Sequence, residues 1–184
     1  SENAFYGCSN LESIKFSSNL TKIGRFAFGE CKKLGSVELP DSVTTIEEYA
    51  FTECDSLIEI IIPKNVKTIE TEVFSRGGLE RITIPEGVTT IGTMAFYMSN
   101  LKSVTIPSSV TKIGQEAFRD CSSLTEINIG SGVSTISYGA FKDCIYLKTI
   151  TMESEYVYKN STSTDYSSCG GILAKATSVK VLKS

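Results

Sequence analysis

The length, composition and charge of this chain exclude several classes of function. Its 184 residues are 41% hydrophobic and 21% charged, with a net charge of −3, which is typical of globular or repeat proteins and leaves no basic stripe for nucleic-acid phosphates or an anionic membrane. The sequence contains no histidine, which removes Ser-His-Asp and Cys-His catalysis and the common histidine metal motifs, and no apolar run is long enough to span a bilayer.

The chain begins in the middle of a repeating pattern. Residues 1–5, Ser-Glu-Asn-Ala-Phe, match residues 114–118, Gly-Gln-Glu-Ala-Phe, of a later segment. We therefore expect the repeats to extend before Ser1 in a longer protein. The signals that determine localisation would then lie outside this chain.

Phenylalanine marks a repeat of 22 or 23 residues along most of the sequence. It recurs at Phe5, Phe28, Phe51, Phe74, Phe96, Phe118 and Phe141. Leucine and Ile or Val form further columns at fixed distances from each phenylalanine. A period of this length indicates a solenoid, in which no coil can bury its apolar face alone and stacking of neighbours supplies the core.

Each repeat predicts the same succession of elements. The segment I-x-I alternates β-branched and polar residues, which predicts a short strand with one inward and one outward face. Proline cannot donate to a ladder, so the strand should end at the position shared by Pro40, Pro63, Pro85 and Pro107. The next segment, such as 43–46, is rich in Val, Thr and Ile and predicts a second strand. The A-F segment lacks this alternation, and we expect it to form a turn of helix.

This pattern resembles the BspA-like leucine-rich repeats, because the motifs I-G-x-x-A-F, C-x-x-L and I-x-I-P, or variants of them, recur in register over seven copies. The resemblance implies an α/β leucine-rich-repeat solenoid with short parallel strands, turns and short helical segments. We assign residues 1–152 to about seven coils and residues 153–184 to an irregular capping segment of the same domain. Within that segment, residues 171–175 and 179–182 resemble a terminal hairpin, and residues 153–168 read as a loop.

Five of the six cysteines occupy one repeat position, three residues after the phenylalanine. They are Cys8, Cys31, Cys54, Cys121 and Cys144. Zinc sites need local clusters such as CxxC, and equivalent positions on parallel strands rarely give the torsion of a disulfide. We therefore expect a buried ladder of free thiols and no metal site. Cys169 lies outside the ladder and is the plausible reactive thiol.

Two adjacent repeats are one residue shorter and lack this cysteine. The shortening falls in residues 75–78, Ser-Arg-Gly-Gly, and in residues 97–100, Tyr-Met-Ser-Asn. One interpretation is a local change of curvature that shapes a binding patch. The other is neutral variation in surface loops, which repeat proteins tolerate.

The outward strand positions supply the candidate binding site. In leucine-rich repeats the sheet usually meets the ligand, and its outward columns carry Lys15, Glu38, Glu59, Ile61, Arg81, Thr83, Thr105, Glu126 and Asn128. Polar residues also simply suit exposed strands, so Ile61 stands out as an apolar exception. For comparison, Arg25, Glu48 and Glu116 are expected on the opposite side.

The resemblance implies a non-catalytic repeat module of a cell-surface or secreted protein of a host-associated microbe, engaged in adhesion. Its partner would be a protein, such as a host extracellular-matrix or cell-surface protein. We expect no cofactor, no nucleic acid and no membrane insertion. One alternative is a targeting or scaffold region of a larger secreted protein with an enzymatic domain elsewhere. Another is glycan binding, which would require Tyr97, Tyr138 and Tyr146 to line one surface.

Overall fold

A computed structural model describes residues 1–152 and, for the backbone alone, residues 178–181. The chain winds into a succession of short parallel strands, two in each coil, and the strands of successive coils form two rows. The first strand row contains β1 (Ser13–Ile14), β3 (Ser36–Val37), β5 (Glu59–Ile61), β7 (Arg81–Thr83), β9 (Ser103–Ile106), β11 (Glu126–Ile129), β13 (Thr149–Met152) and β14 (Ser178–Val181). The second strand row contains β2 (Lys22–Ile23), β4 (Thr45–Ile46), β6 (Thr68–Ile69), β8 (Thr90–Ile91), β10 (Lys112–Ile113) and β12 (Thr135–Ile136).

Both predicted strands of the repeat are therefore confirmed. Each strand pairs in parallel with the equivalent strand of the neighbouring coil. Glu59 therefore lies opposite Arg81, and Glu126 lies opposite Ser103. The first strand of each coil ends at or before the residue that precedes the proline position, as in β9, which ends at Ile106 next to Pro107. Since proline has no backbone N–H, it marks the end of the ladder.

The A-F segment is not helical, which corrects the expectation of short helical segments. The part of the chain described here contains no helix, and therefore none that could cross a membrane. Tyr49 and Glu53, on either side of Phe51, have φ values of 61° and 55°, and a residue in this left-handed region cannot continue a right-handed helix. The same two positions have positive φ in the other coils.

The backbone of this segment instead bonds to the next coil. The amides of Tyr49, Phe51 and Glu53 donate to the carbonyls of Thr71, Val73 and Ser75 at 3.0, 2.9 and 2.9 Å. We call this third set of bonds between coils the turn ladder. Together with the two strand rows, it satisfies the backbone of a coil on three sides.

The core is a set of stacked columns that run the length of the solenoid. Consecutive phenylalanine rings of the seven repeats stack with centroids 5.0 to 5.8 Å apart and interplanar angles of 2° to 14°. The rings from Phe28 onward are buried, whereas Phe5 at the open end is 39% exposed. From the first ring to the seventh, the chain makes six full turns. The predicted phenylalanine column is confirmed, and it is buried from Phe28 onward.

Most of the predicted capping segment, including residues 171–175 and Cys169, lies outside the described residues. The backbone of β14 pairs in parallel with β13, with Ser178 opposite Thr149 and Val181 opposite Met152. The first strand row thus continues by one strand beyond the last coil. The assignment of residues 153–184 as a cap remains a proposal.

Candidate functional site

The outward side of the first strand row is an exposed surface, which we call the sheet face. Alternation positions it: in β9 and β11 the Val and Ile side chains are buried and the residues between them point outward. Eight of the nine predicted site residues are exposed and the ninth, Asn128, is half-buried. Lys15 and Glu38 each lie one residue past the end of their short strands, β1 and β3.

The register brings some of these residues together and leaves others apart. Glu59 and Ile61 lie opposite Arg81 and Thr83 on the neighbouring strand. Thr105 and Asn128 likewise lie opposite each other on β9 and β11. Lys15 and Glu38 lie on the first two coils, just after β1 and β3, and pair with neither of these two groups.

A chain of ion pairs crosses one edge of the sheet face. Arg81 donates from Nε and Nη2 to Glu59 Oε2, both at 3.2 Å, and its Nη1 lies 3.6 Å from Glu80 Oε2. Lys102 Nζ donates to the same Glu80 carboxylate at 2.6 Å and holds the pKa of Glu80 below its ordinary value. Exposed pairs of this kind add little stability. They place four charged side chains in contact along this edge.

Glu80 and Lys102 are functional candidates that the sequence interpretation missed. Each stands just before its strand, one residue ahead of the outward column of Arg81 and Ser103. The sequence does contain a sign of this ion pair, because Glu80 and Lys102 carry opposite charges at equivalent positions of adjacent repeats, 22 residues apart.

Ile61 is the apolar centre of this part of the surface. It is 64% exposed, the largest exposure among the large hydrophobic side chains, and Ile58 at the start of the same coil is 37% exposed. A single exposed apolar residue is ordinary. Here it lies beside the ordered pair of Glu59 and Arg81, an arrangement of apolar centre and polar rim that resembles protein interfaces.

The cysteine column is a ladder of free thiols, as predicted, but the predicted burial is confirmed for four of the five and is wrong for Cys8. The thiols of Cys31, Cys54, Cys121 and Cys144 are buried and free, whereas Cys8 at the open end is free and exposed. Each buried thiol donates to the carbonyl of the preceding coil's phenylalanine at 3.0 to 3.1 Å. Burial raises the pKa of Cys31 to about 11 and that of Cys54 to about 12. Cys31 and Cys54 are therefore protonated and unreactive near neutral pH.

A hydroxyl group replaces the thiol in one of the two shortened repeats, and Gly77 occupies the cysteine position in the other. Ser99 occupies the cysteine position, and its Oγ lies 3.3 Å from Cys121 Sγ. Ser75, two residues earlier in its own repeat, is buried, and its hydroxyl is 2.8 Å from that of Thr52. The shortening lies between the turn ladder and the first strand row, away from the outward columns of the sheet face.

The side opposite the sheet face carries aromatic rings and arginines. Phe26 and Tyr49 stack at 4.5 Å, and the Arg25 guanidinium lies 5.3 and 5.4 Å from their centroids. Glu116 is only 7% exposed and binds Arg119 at 3.2 Å. The expectation that Glu116 is an accessible residue on this side is therefore wrong, because its side chain is 9% exposed, lies next to Gly139 and pairs with Arg119.

The same side bears on the glycan alternative. Arg76 and Arg119, from the coils before and after, lie 5.1 and 5.8 Å from the centroid of the Tyr97 ring. A sugar stacks on an open aromatic face, and here guanidinium groups cover the ring. Tyr138 and Tyr146 are 52% and 59% exposed. Tyr97 thus does not supply the third open ring that glycan binding would require.

No group of three or more His, Cys, Asp or Glu side chains suited to hold a metal ion occurs within residues 1–152. The free cysteines described above are spaced one per coil along the ladder. Each of the four buried thiols donates to a backbone carbonyl.

Comparisons with known proteins agree with this architecture. The family model described as BspA type Leucine rich repeat region matches in six copies over residues 1–100 and 47–171. A leucine rich cell surface protein from Faecalibacterium prausnitzii has 28% identity and a TM-score of 0.63 over 83% of this chain and 51% of that chain. A T. pallidum leucine rich repeat protein has 28% identity and a TM-score of 0.53 over 85% of this chain and 69% of that chain.

A more distant structure extends the likeness in fold alone. The pneumococcal vaccine antigen PcpA has 16% identity and a TM-score of 0.60, with 92% of this chain and 46% of that chain covered. The chain spans about half the length of the Faecalibacterium protein (51%). No protein of curated function matches it. Repeat pattern, strand rows and family match together place the chain in the BspA-type leucine-rich-repeat family.

Proposed function

We propose that this chain is a non-catalytic module that binds a protein partner through the sheet face. The observation that carries the proposal is the surface around Ile61, which is 64% exposed beside the ordered pair of Glu59 and Arg81. Binding energy in protein interfaces concentrates in a few apolar, aromatic and arginine side chains surrounded by polar groups. Ile61 and Arg81 supply such a centre.

The shape of the sheet face suits a macromolecule better than a small substrate. Seven stacked strands at about 4.8 Å spacing give a surface roughly 30 Å long. An extended surface of stacked repeats is a common ligand-binding arrangement in solenoid proteins. The exposed residues vary from coil to coil, from Lys15 to Asn128, whereas the buried columns keep their residue type.

A position at the cell surface or outside the cell supports adhesion as the biological role. One solved relative is described as a cell surface protein and another as a vaccine antigen. By analogy, the partner would be a protein of the host matrix or of another cell surface.

A direct test compares two matched double variants. Ile61→Ser with Arg81→Ser alters the sheet face, and Arg25→Ser with Glu48→Ser alters the opposite side. Each protein is tested against an array of purified extracellular-matrix proteins by biolayer interferometry. For any matrix protein that binds the unaltered chain, we expect the first variant to bind at least about tenfold more weakly and the second to bind almost unchanged.

Thermal melts serve as the folding control for both variants. Loss of binding by the Arg25 and Glu48 variant, with full binding by the Ile61 and Arg81 variant, would contradict the assignment. The ligand would then bind on the side of the turn ladder.

A further inference from the structure

One column of the repeat lies where successive coils approach most closely. It immediately follows the second strand row and contains Gly24, Glu47, Glu70, Gly92, Gly114 and Ser137. A Cβ added to Gly92 would lie 2.8 Å from the carbonyl carbon of Glu70, and one added to Gly114 would lie 2.5 Å from that of Gly92. A side chain in this column therefore points at the backbone of the preceding coil.

Glu70 stands over Glu47 in this column. Among the described coils, two successive members of the column both carry a side chain only here, where Glu47 is followed by Glu70. Every other successive pair in the column includes at least one glycine. Glu47 reaches back to the preceding coil, where it binds Lys22 Nζ at 2.6 Å and the Arg25 amide at 3.1 Å. Burial and the neighbouring carboxylates of Glu48 and Glu47 raise the pKa of Glu70.

The backbone ladders break at this same boundary. Among the described strands, the second row divides between β4 and β6, and the first divides between β3 and β5 and again between β7 and β9. The boundary at Glu70 is therefore the one at which both rows divide. At the other boundaries in this row, the amide at the glycine column donates to the preceding coil at 2.7 to 3.0 Å, as Gly92 does to Ile69. Among the described residues, Glu70 lacks the equivalent bond to Ile46.

The turn ladder remains intact across the boundary. Its three bonds from residues 49–53 to residues 71–75 are 2.9 to 3.0 Å long, and the buried hydroxyls of Thr52 and Ser75 meet at 2.8 Å beside them. The Phe51 and Phe74 rings are 5.8 Å apart, the widest spacing in the phenylalanine column. The turn ladder therefore joins the two coils on one side, whereas no ladder joins them along either strand row. At the corner between the two rows, Asn65 donates to the Asp41 carbonyl at 2.9 Å and Lys64 Nζ lies 3.3 Å from the Asp41 carboxylate.

We infer that the boundary between the Phe51 coil and the Phe74 coil is a hinge. The turn ladder is its axis, and the substitution of Glu70 for glycine above Glu47 is its cause. Opening separates β3 from β5 and β4 from β6, and so changes the distance between Glu38 and Ile61 on the sheet face. The inference concerns motion within the solenoid and does not depend on the proposed binding function.

Amide hydrogen exchange of the whole chain, resolved by NMR, tests the hinge. The amides of Lys67 and Glu70 should exchange at least about tenfold faster than those of Thr89 and Gly92, which hold the equivalent positions one coil later. Protection of the two pairs within about twofold of each other would overturn the inference.

Two substitutions at one position test the cause. Glu70→Gly restores the residue type that allows close approach and should slow exchange at Lys67 about tenfold, while Thr111 in a distant coil stays unchanged. Glu70→Gln removes the charge and keeps the Cβ, so it should slow exchange at Lys67 much less. Unchanged exchange at Lys67 in Glu70→Gly, or equal slowing by both variants, would contradict close approach at Glu70 as the cause.

Discussion

Removal of one ring from the phenylalanine column should reveal how the stack shares its stability. Phe51 is 1% exposed and lies between Phe28 at 5.4 Å and Phe74 at 5.8 Å. Phe51→Ala deletes a buried ring and leaves a cavity between two coils that cannot collapse onto it. The expected loss is about 3 to 5 kcal/mol in the free energy of unfolding.

The same substitution at the open end provides the matched comparison. Phe5 is 39% exposed and has one stacked neighbour within the column, Phe28 at 5.2 Å. Part of its surface is already in water and the site is open to solvent, so Phe5→Ala should cost only about 1 to 2 kcal/mol.

Urea denaturation followed by circular dichroism measures both losses. The midpoint should fall much further for Phe51→Ala than for Phe5→Ala, with similar slopes. Equal losses for the interior and terminal rings would refute a solenoid stabilised by stacking of nearest neighbours.

Three further predictions concern the thiols, the hydroxyl pair and the sheet face. In native protein at pH 8, a thiol reagent should modify exposed Cys8 and spare Cys54, and mass spectrometry of the labelled peptides would show this; rapid native labelling of Cys54 would contradict its burial. Burial raises the pKa of Cys54 from 9.0 to about 12. The protonated thiol therefore contributes its full stability below pH 9, and this contribution declines as the pH rises toward 12. Cys54→Ser should remove this decline from the pH dependence of the urea midpoint. Ser75→Ala leaves the Thr52 hydroxyl without its 2.8 Å partner and should cost about 1 to 3 kcal/mol by the same denaturation, and no loss would show that the pair is dispensable. Ile61→Ser should change stability by less than about 0.5 kcal/mol, since the side chain is already in water, and a large fall in Tm would show that it packs against the fold.

Much of the fold follows from spacing in the sequence. The phenylalanine and cysteine columns, the two strand rows and the role of proline all depend on one residue type returning every 22 or 23 positions. The turn segment was harder to predict, because its left-handed positions hold residues such as Tyr49 and Glu53. Bonds to the next coil impose that conformation, and local propensity, which favours glycine there, gives no sign of it.

The candidate surface was predictable in outline for the same reason. Alternation along a strand assigns Glu59, Ile61 and Arg81 to the outward side. The extension of the ion pairs through Glu80 to Lys102 requires the register between coils and the position of residues just before a strand. The burial of Glu116 depends on how the turns of neighbouring coils pack, which spacing alone does not specify.

Carboxylate footprinting tests the central claim of a binding sheet face most directly. The chain is treated with a carbodiimide and an amine, with and without a bound matrix protein, and the labelled peptides are quantified by mass spectrometry. We predict that the partner lowers labelling of Glu38, Glu59 and Glu126 and leaves Glu48, on the opposite side, unchanged. Protection of Glu48 with unchanged labelling of the other three would contradict the account.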